Sequence, residues 1–290
     1  MTHKNNIFIY GLALLFLTSC GLFGIHFKVH NPRKPGKYPK FDKETILLGE
    51  LTPIREAFDV VHYDIDITFD IENKSIAGWV ETKSVAVYDI DSIQLDLDQQ
   101  MNIEEVKFGS RTGQDLNYQR IERGIFIELP STVAKGEPFS VFIKYSGKPI
   151  KARKPPWDGG FVWKEDKEDN PWVGVACEVE GASIWLPCKD HTSDEPNSVD
   201  LTFTIPSSNL EVISNGQFVG EEIKGNNKSF KWKVTKHINL YNITFYIGDF
   251  AKIDDEYEGI TGKKMQMTHY VLHKNKEKAT KHFKQLQRQI

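Results

Sequence analysis

The sequence predicts an all-β fold, built as an antiparallel β-sandwich or a curved sheet. In HYDIDITFD (62–70), apolar residues occupy every second position, which is the pattern of a half-buried strand. Short apolar segments separated by glycine-containing turns then follow one another along the chain. No helical periodicity interrupts them before about residue 249, and this combination is typical of all-β domains.

Each strand is predicted from its alternation and its flanking turns. Glu72, Asn73 and Lys74 form the first turn, after which SIAGWVETKSVAVY returns as the second strand. The later predicted strands are DSIQLDLD, NIEEVKFG, GIFIELP, FSVFIKYSG, DLTFTIP, LEVISNG, SFKWKVTK, NITFYIGDF and MQMTHYVL. The Pro- and Gly-containing segment 148–170 is predicted as a long loop. A loop of this length indicates either a functional segment or an Ω-like loop anchored by its aromatic residues.

The N-terminus indicates export. Lys4 precedes the apolar run IFIYGLALLFLTSC, which is too short for a comfortable membrane span. The run ends in LTSCG, which resembles a bacterial lipobox in which Cys20 is lipidated and becomes the new N-terminus. Residues 1–20 are therefore predicted to be a lipoprotein signal peptide, and the Pro- and Lys-rich residues 21–50 a tether. The protein is then exported and anchored to a membrane surface, whereas in an ordinary signal peptide or short anchor Cys20 would be incidental.

The net charge bears on the possible partners of the protein, and the cysteine content bears on disulfide formation. The formal net charge of −3 gives no attraction for nucleic acid, so no nucleic-acid partner is expected. An exported compartment permits a disulfide between Cys177 and Cys188, but two buried free thiols fit the sequence equally well.

The sequence contains none of the motifs that would give this chain its own catalytic site. It has no G-x-S-x-G, phosphate-binding loop, G-x-G-x-x-G or H-E-x-x-H motif, so no catalytic residue is assigned. KDHTSDEP (189–196) is the one local cluster of potential ligands, with Asp190, His191, Asp194 and Glu195. Its composition is that of a turn, and we assign no metal ligand there.

The C-terminal segment is predicted to be an amphipathic helix. Ala279, Phe283, Leu286 and Ile290 recur at helical spacing, and lysines occupy the opposite face. No capping residue or proline follows the last apolar position, which suggests a chain cut within a helix.

Three segments, taken in order, resemble one family. They are GELTPIREAFDVVHYDIDITFDIENKSIAGWVE, then GVACEVEGASIWLPCKDHTSDEP, then the stretch from NGQF to IGDF. Together they resemble the N-terminal β-domain of the aminopeptidase N-like (gluzincin) zinc metallopeptidases, which include the leukotriene hydrolases. The resemblance runs from about Gly49 to the end of the chain. It departs from the family where Asp190 to Ser193 separate the Pro-Cys pair from the Asp-Glu-Pro turn.

The resemblance implies a saddle-like β-sandwich over residues 51–257. Residues 258–290 would then be the first strand and helix of a truncated thermolysin-like domain. In the family, the residue after the first cysteine of the second segment binds the α-ammonium of the peptide substrate; here that residue is Glu178. The family's zinc ligands, general base and oxyanion-stabilising tyrosine have no counterpart in this sequence, so no cofactor is expected in the chain itself.

The implied function is the substrate-binding and structural part of a membrane-anchored zinc aminopeptidase, inactive by itself. Its expected partners are peptide N-termini, the membrane through the lipid, and a catalytic α domain supplied in cis or in trans. Two alternatives remain open at this point. One is a stand-alone β-sandwich binding or scaffold lipoprotein, and the other is an intact enzyme with an unrecognised site around KDHTSDEP.

Overall fold

The computed structural model describes residues 41–155 and 157–285, and strands dominate it. Two short helices come first, α1 (Lys43–Gly49) and α2 (Pro53–Glu56), and one helix closes the described chain, α3 (Lys276–Phe283). The first eight strands are β1 (Phe58–Asp70), β2 (Ser75–Ala86), β3 (Ile90–Asp96), β4 (Met101–Phe108), β5 (Gln114–Asp115), β6 (Tyr118–Ile121), β7 (Gly124–Val133) and β8 (Pro138–Gly147). The others are β9 (Gly160–Glu165), β10 (Pro171–Ala176), β11 (Ser198–Pro206), β12 (Glu211–Ser214), β13 (Gln217–Lys224), β14 (Asn227–Val234), β15 (Phe245–Gly248), β16 (Phe250–Glu258) and β17 (Lys264–Leu272). Single 3-10 turns lie at Ala182–Ile184, Leu240–Asn242 and His273–Asn275.

The strands form one large sheet, two small sheets and a hairpin. The eight-stranded sheet has the order β13-β14-β11-β1-β2-β8-β4-β5. A four-stranded sheet has the order β12-β15-β10-β9, a three-stranded sheet the order β3-β7-β6, and β16 pairs with β17. The predicted all-β sandwich is confirmed. One pair departs from the antiparallel pattern, because β1 pairs with β11 in parallel.

Alternation along β1 places its apolar side chains in the core, as the sequence predicts. Tyr63, Ile65, Ile67 and Phe69 are buried, and the intervening polar residues are exposed or half-buried. An aromatic cluster joins the large sheet to the four-stranded sheet. Its central ring is Phe245, which lies 4.6–5.8 Å from four other ring centroids. The four rings belong to Phe69, Phe161, Trp185 and Phe203.

The segment 148–170 is not a single irregular loop. Strand β9 lies within it and pairs with β10 along its whole length. Phe161 on β9 is fully buried and stacks on Trp163 with a centroid distance of 5.4 Å, whereas Trp157 in the preceding turn is exposed. The aromatic residues of the strand thus anchor the segment. The alternation in GFVWKE is too short to stand out from the surrounding Pro- and Lys-rich sequence.

The end of the segment assigned to the tether is helical. Asp42 caps α1 by accepting a hydrogen bond from the Thr45 backbone N at 2.8 Å. At the other end of α1, the buried Arg55 donates to the carbonyl oxygens of Leu48 and Glu50 at 2.8 and 3.0 Å. The predicted tether thus includes the helix α1 near its end, and Glu44 of that helix pairs with the distant Arg123. Residues 21–40 lie outside the described residues, and the tether there stays a prediction.

The last described elements follow the predicted pattern. In α3, Ala279 and Phe283 are half-buried, and the Phe283 ring lies 4.5 Å from that of His269 on β17. Leu286 and Ile290 lie outside the described residues. The boundary at residues 257 and 258 remains a prediction, and it falls within the β16–β17 hairpin, where Tyr257 pairs with Met265. No helix among the described residues is both long enough and apolar enough to cross a membrane.

Candidate substrate-amine site

Glu178 lies in a tight turn that follows β10. The turn spans Cys177–Gly181 and is closed by a hydrogen bond of 2.9 Å from the Gly181 N to the Cys177 carbonyl oxygen. Two of its residues have left-handed backbone conformations, Val179 with φ +67° and Gly181 with φ +80°. A β-branched residue rarely adopts positive φ, so the Val179 conformation is held by its surroundings. We refer to Cys177–Gly181 as the glutamate turn.

The glutamate turn forms one wall of an open cleft of about 370 Å³. The opposite wall comes from the loop after Cys188, with His191 and Thr192, and from the 3-10 turn at Leu240. Glu178 is an exposed residue at this cleft. Among the described residues, no hydrogen bond or ion pair engages its carboxylate, which is therefore available to a ligand.

Close packing behind the glutamate turn explains two glycines. A Cβ at Gly181 would lie 2.1 Å from Oδ2 of Asp190, and its positive φ is a second reason for glycine. A Cβ at Gly159 would lie 2.6 Å from Cγ of Glu180 and 2.9 Å from the Glu178 carbonyl oxygen. The Asp190 side chain thus packs directly against the turn at Gly181, and the Gly159 backbone packs against it at Glu178 and Glu180.

The neighbouring acidic residues are engaged within the protein. Glu180 pairs with Arg123 at 2.9 Å, and the Asp190 carboxylate accepts a hydrogen bond from the Ser183 N at 2.9 Å. A second cavity, of about 570 Å³, lies between α1 and the other side of the glutamate turn, with Arg123 in its lining. Of the three neighbouring carboxylates, Glu178, Glu180 and Asp190, Glu178 is the one with no partner among the described residues.

The predicted turn KDHTSDEP is a structural element. Asp194 forms a buried ion pair with Lys189, and the Lys189 Nζ also donates to the Phe58 carbonyl oxygen at 2.6 Å. Burial raises the pKa of Asp194, and the nearby Lys189 ammonium opposes that rise. His191 Nδ1 and the Ser193 hydroxyl share a hydrogen bond of 2.8 Å. Asp194 and His191 are thus both engaged by residues of the same turn.

The donor set in this region does not fit a zinc ion. In residues 41–155 and 157–285, no group of three or more His, Cys, Asp or Glu side chains converges as metal ligands would. The two thiols, Cys177 and Cys188, are buried and free, and burial raises the pKa of Cys177 to about 12 and the pKa of Cys188 well above its usual range. No step of the chemistry is therefore assigned to a metal held by these residues.

Comparison with known proteins identifies the family. A family model described as the Peptidase M1 N-terminal domain matches residues 60–241, which is more than half of the chain. The fold and this match place the protein among domains of M1 metallopeptidases. The chain belongs to the Peptidase M1 N-terminal domain family. None of the curated proteins matches the chain significantly.

Solved structures share the fold. The M1 zinc metallopeptidase from Deinococcus radiodurans superposes with a TM-score of 0.62 at 18% identity, over 75% of this chain and 48% of that chain. A mutant of that enzyme bound to a Tyr-Ser-Ala substrate gives 0.63 at 19% identity, with the same coverage. A two-domain M1 zinc metallopeptidase mutant bound to L-tryptophan also gives 0.63 at 19% identity, with the same coverage. The chain thus spans about half the length of these structures.

Sequence reasoning selected Glu178 but missed the residues that hold it. Arg123 and Gly159 contact Glu180 within the glutamate turn, yet both are distant from Glu178 in sequence and belong to no motif. The unusual backbone of Val179 has no sequence signal either. The other predicted site residue, Cys20, lies outside the described residues.

Proposed function

We propose that this chain provides the amine-binding wall of a membrane-anchored zinc aminopeptidase whose catalytic groups lie on a second domain, in cis or in trans. One observation carries the proposal: Glu178 is presented at a cleft on a tight, hydrogen-bonded turn, and its carboxylate has no partner in the described chain. Membership in the M1 N-terminal family supports it. The similar M1 zinc metallopeptidase structure that is bound to a Tyr-Ser-Ala substrate supports a peptide as the ligand.

The chemistry of Glu178 suits an exopeptidase. A carboxylate in a cleft that is closed by a second domain pairs with the α-ammonium of a peptide through charge-assisted hydrogen bonds. An internal peptide bond presents an uncharged amide at that position and leaves the carboxylate desolvated without compensation. Glu178 therefore selects the first residue of a peptide and positions its scissile bond. Zinc, held by the second domain, would supply the activated water for hydrolysis.

Replacing Glu178 by Gln is expected to abolish recognition of the ammonium group. We expect the chain to bind L-phenylalaninamide about tenfold more tightly than 3-phenylpropanamide, which lacks the amine, and Glu178→Gln to remove this preference. Titration followed by NMR measures both affinities. Glu165→Gln, on the far end of β9, is the matched control and should keep the preference.

Two results would contradict the proposal. An unchanged preference for the amine in Glu178→Gln would show that the ammonium binds elsewhere. Hydrolysis of an aminoacyl p-nitroanilide by the isolated chain with added zinc, abolished by Glu178→Ala, would show that the chain is catalytically active without a second domain.

Anchoring through Cys20 is the second part of the proposal, and it rests on the lipobox-like sequence LTSCG. One acyl chain gives only marginal membrane binding, at about 0.8 kcal/mol per buried methylene, so a stable anchor needs more than one. We expect Cys20→Ser to prevent incorporation of labelled palmitate and to release the protein from the membrane fraction. Cys177→Ser is the control and should change neither. Membrane attachment that persists without Cys20 would disprove lipid anchoring at this residue.

A further inference from the structure

Arg123 reaches the glutamate turn from a different sheet. It lies between β6 and β7, and its carbonyl oxygen accepts a hydrogen bond of 2.9 Å from the Leu97 N, which fixes its backbone. The guanidinium then makes two contacts with Glu180. Nη1 donates to the Glu180 carbonyl oxygen at 3.1 Å, and Nη2 donates to the Glu180 carboxylate at 2.9 Å. One side chain therefore holds both the backbone and the side chain of a residue within the turn.

The charges around Arg123 keep it in place. Its side chain is about nine-tenths buried, and on the side away from Glu180 its Nε faces the carboxylates of Glu44 and Asp98 at 2.5 and 3.4 Å. A buried guanidinium is stable only when it is paired, and its planar fork keeps a fixed direction toward its acceptors. Arg123 is thus a rigid support, whereas Glu178, two residues before Glu180, is exposed.

The turn needs such a support. Val179 is 88% exposed, so packing of its own side chain does not impose its positive φ. A conformation of this kind is strained in a non-glycine residue and persists only when other contacts fix it. The Gly181–Cys177 hydrogen bond fixes the end of the turn, and the two contacts from Arg123 fix Glu180, the residue directly after Val179.

We propose that Arg123 is a positioning residue that holds the glutamate turn in its left-handed conformation and thereby directs Glu178 into the cleft for a primary ammonium ligand. This inference rests on the proposed function of Glu178. Arg123 itself does not touch the ligand. Its contribution is to keep the carboxylate in one orientation, which reduces the ordering that binding would otherwise require.

Arg123→Gln tests this role with two measurements on the chain. Affinity for L-phenylalaninamide is expected to fall about fivefold to tenfold, while the weak affinity for 3-phenylpropanamide stays unchanged. Backbone amide hydrogen exchange at Gly181, whose N–H donates to the Cys177 carbonyl oxygen, is expected to accelerate. Arg123→Lys, which keeps the charge but lacks the planar fork, should be intermediate. The exposed Arg111→Gln is the control for lost positive charge and should behave as the unchanged protein.

Glu180→Ala gives a second variant in case Arg123→Gln fails to fold, because it removes one acceptor of the guanidinium from a 37%-exposed side chain. It should accelerate exchange at the Gly181 amide and weaken binding of the amine ligand. Unchanged exchange and unchanged amine preference in these variants would overturn the proposal. Equal loss of affinity for both ligands would also overturn it, because it would indicate general damage to the cleft.

The outcomes for Glu178 and Arg123 can be separated. Glu178→Gln should remove the amine preference without changing exchange at the Gly181 amide. If amine preference survives that change, the proposed function fails, and exchange in Arg123→Gln then reports whether the turn depends on Arg123 at all. If Glu178→Gln loses the preference and Arg123→Gln keeps it, only the positioning role fails.

Discussion

Replacing Arg55 by Met is expected to lower the free energy of unfolding by about 3–5 kcal/mol, because it leaves a buried carboxylate without its cation. Arg55 and Asp96 form an ion pair in which neither side chain is exposed. Arg55 also donates to Leu48 and Glu50, so the variant loses the contacts that hold the end of α1. Urea-induced unfolding followed by tryptophan fluorescence measures the loss.

The loss of unfolding free energy in Arg55→Met should depend on pH. Burial raises the pKa of Asp96 to about 6, against the opposing effect of Arg55, and removing Arg55 should raise that pKa further. The folded state of the variant then binds a proton that the unfolded state, with a pKa near 3.8, releases. Its unfolding free energy therefore falls as the pH rises from about 4 through and beyond 6. The deficit relative to the unchanged protein should be larger at pH 8 than at pH 4.5, and a deficit independent of pH would contradict this account.

A double variant sharpens the prediction. Replacing both partners of an isolated buried pair by apolar residues often restores stability. Here Asp96 also accepts hydrogen bonds from Gln94 Nε2 at 3.0 Å and from the Asp190 N at 3.3 Å. Arg55→Met combined with Asp96→Leu is therefore expected to recover only part of the loss. Full recovery would mean that these further hydrogen bonds contribute little.

Replacing Phe245 by Ala is expected to cost about 3–5 kcal/mol of unfolding free energy. Phe245 is fully buried, and its ring lies 4.6 Å from that of Phe69 on the large sheet and 5.3 Å from that of Trp185. Truncation removes the ring that joins the two sheets and leaves a cavity among rigid aromatic neighbours that cannot collapse into it. Thermal and urea unfolding provide the measurement.

Two matched variants test the reason for that effect. Phe218→Ala removes the same ring from a side chain that is 45% exposed and should cost clearly less. Phe245→Leu keeps part of the volume and should lie between the two. Similar losses for Phe218→Ala and Phe245→Ala would show that the inter-sheet contact is not what stabilises the fold.

Much of the fold could be predicted from sequence because it rests on local patterns. Alternation in 62–70 identifies β1 and its buried face, since successive side chains of a strand point to opposite sides. Which strand pairs with each edge of β1 could not be predicted. The parallel pairing of Tyr63 with Val199 leaves no signature in either segment, because alternation identifies a buried face without specifying the neighbouring strand.

The short helix α1 shows a second limit. Asp42 and Glu44 are suitable capping and first-turn residues, and they could have indicated a helix start. A helix this short is unstable in isolation, however, and it persists here through contacts with Arg55 and Arg123. Those contacts depend on tertiary structure, and the Pro- and Lys-rich sequence just before them favoured a tether.

The candidate site likewise has one residue that the sequence predicts and one that it does not. Glu178 could be selected because family resemblance marks its position beside a cysteine. Arg123 belongs to a different hairpin and contacts Glu180, which is 57 positions away in sequence. Nothing near Arg123 in the sequence distinguishes it from a surface arginine, so only the folded arrangement could reveal it.

The parallel pairing of β1 with β11 also determines how the domain can be made. His62 and Ser198 are 136 positions apart, so one edge of a central strand stays open until most of the domain has been synthesised. At typical translation rates this delay is on the order of ten seconds. The fold has a high contact order, and the central strand β1 has to wait for a late partner. For a protein that is expected to be exported, such a delay favours an unfolded chain during transport and completion of the large sheet afterwards.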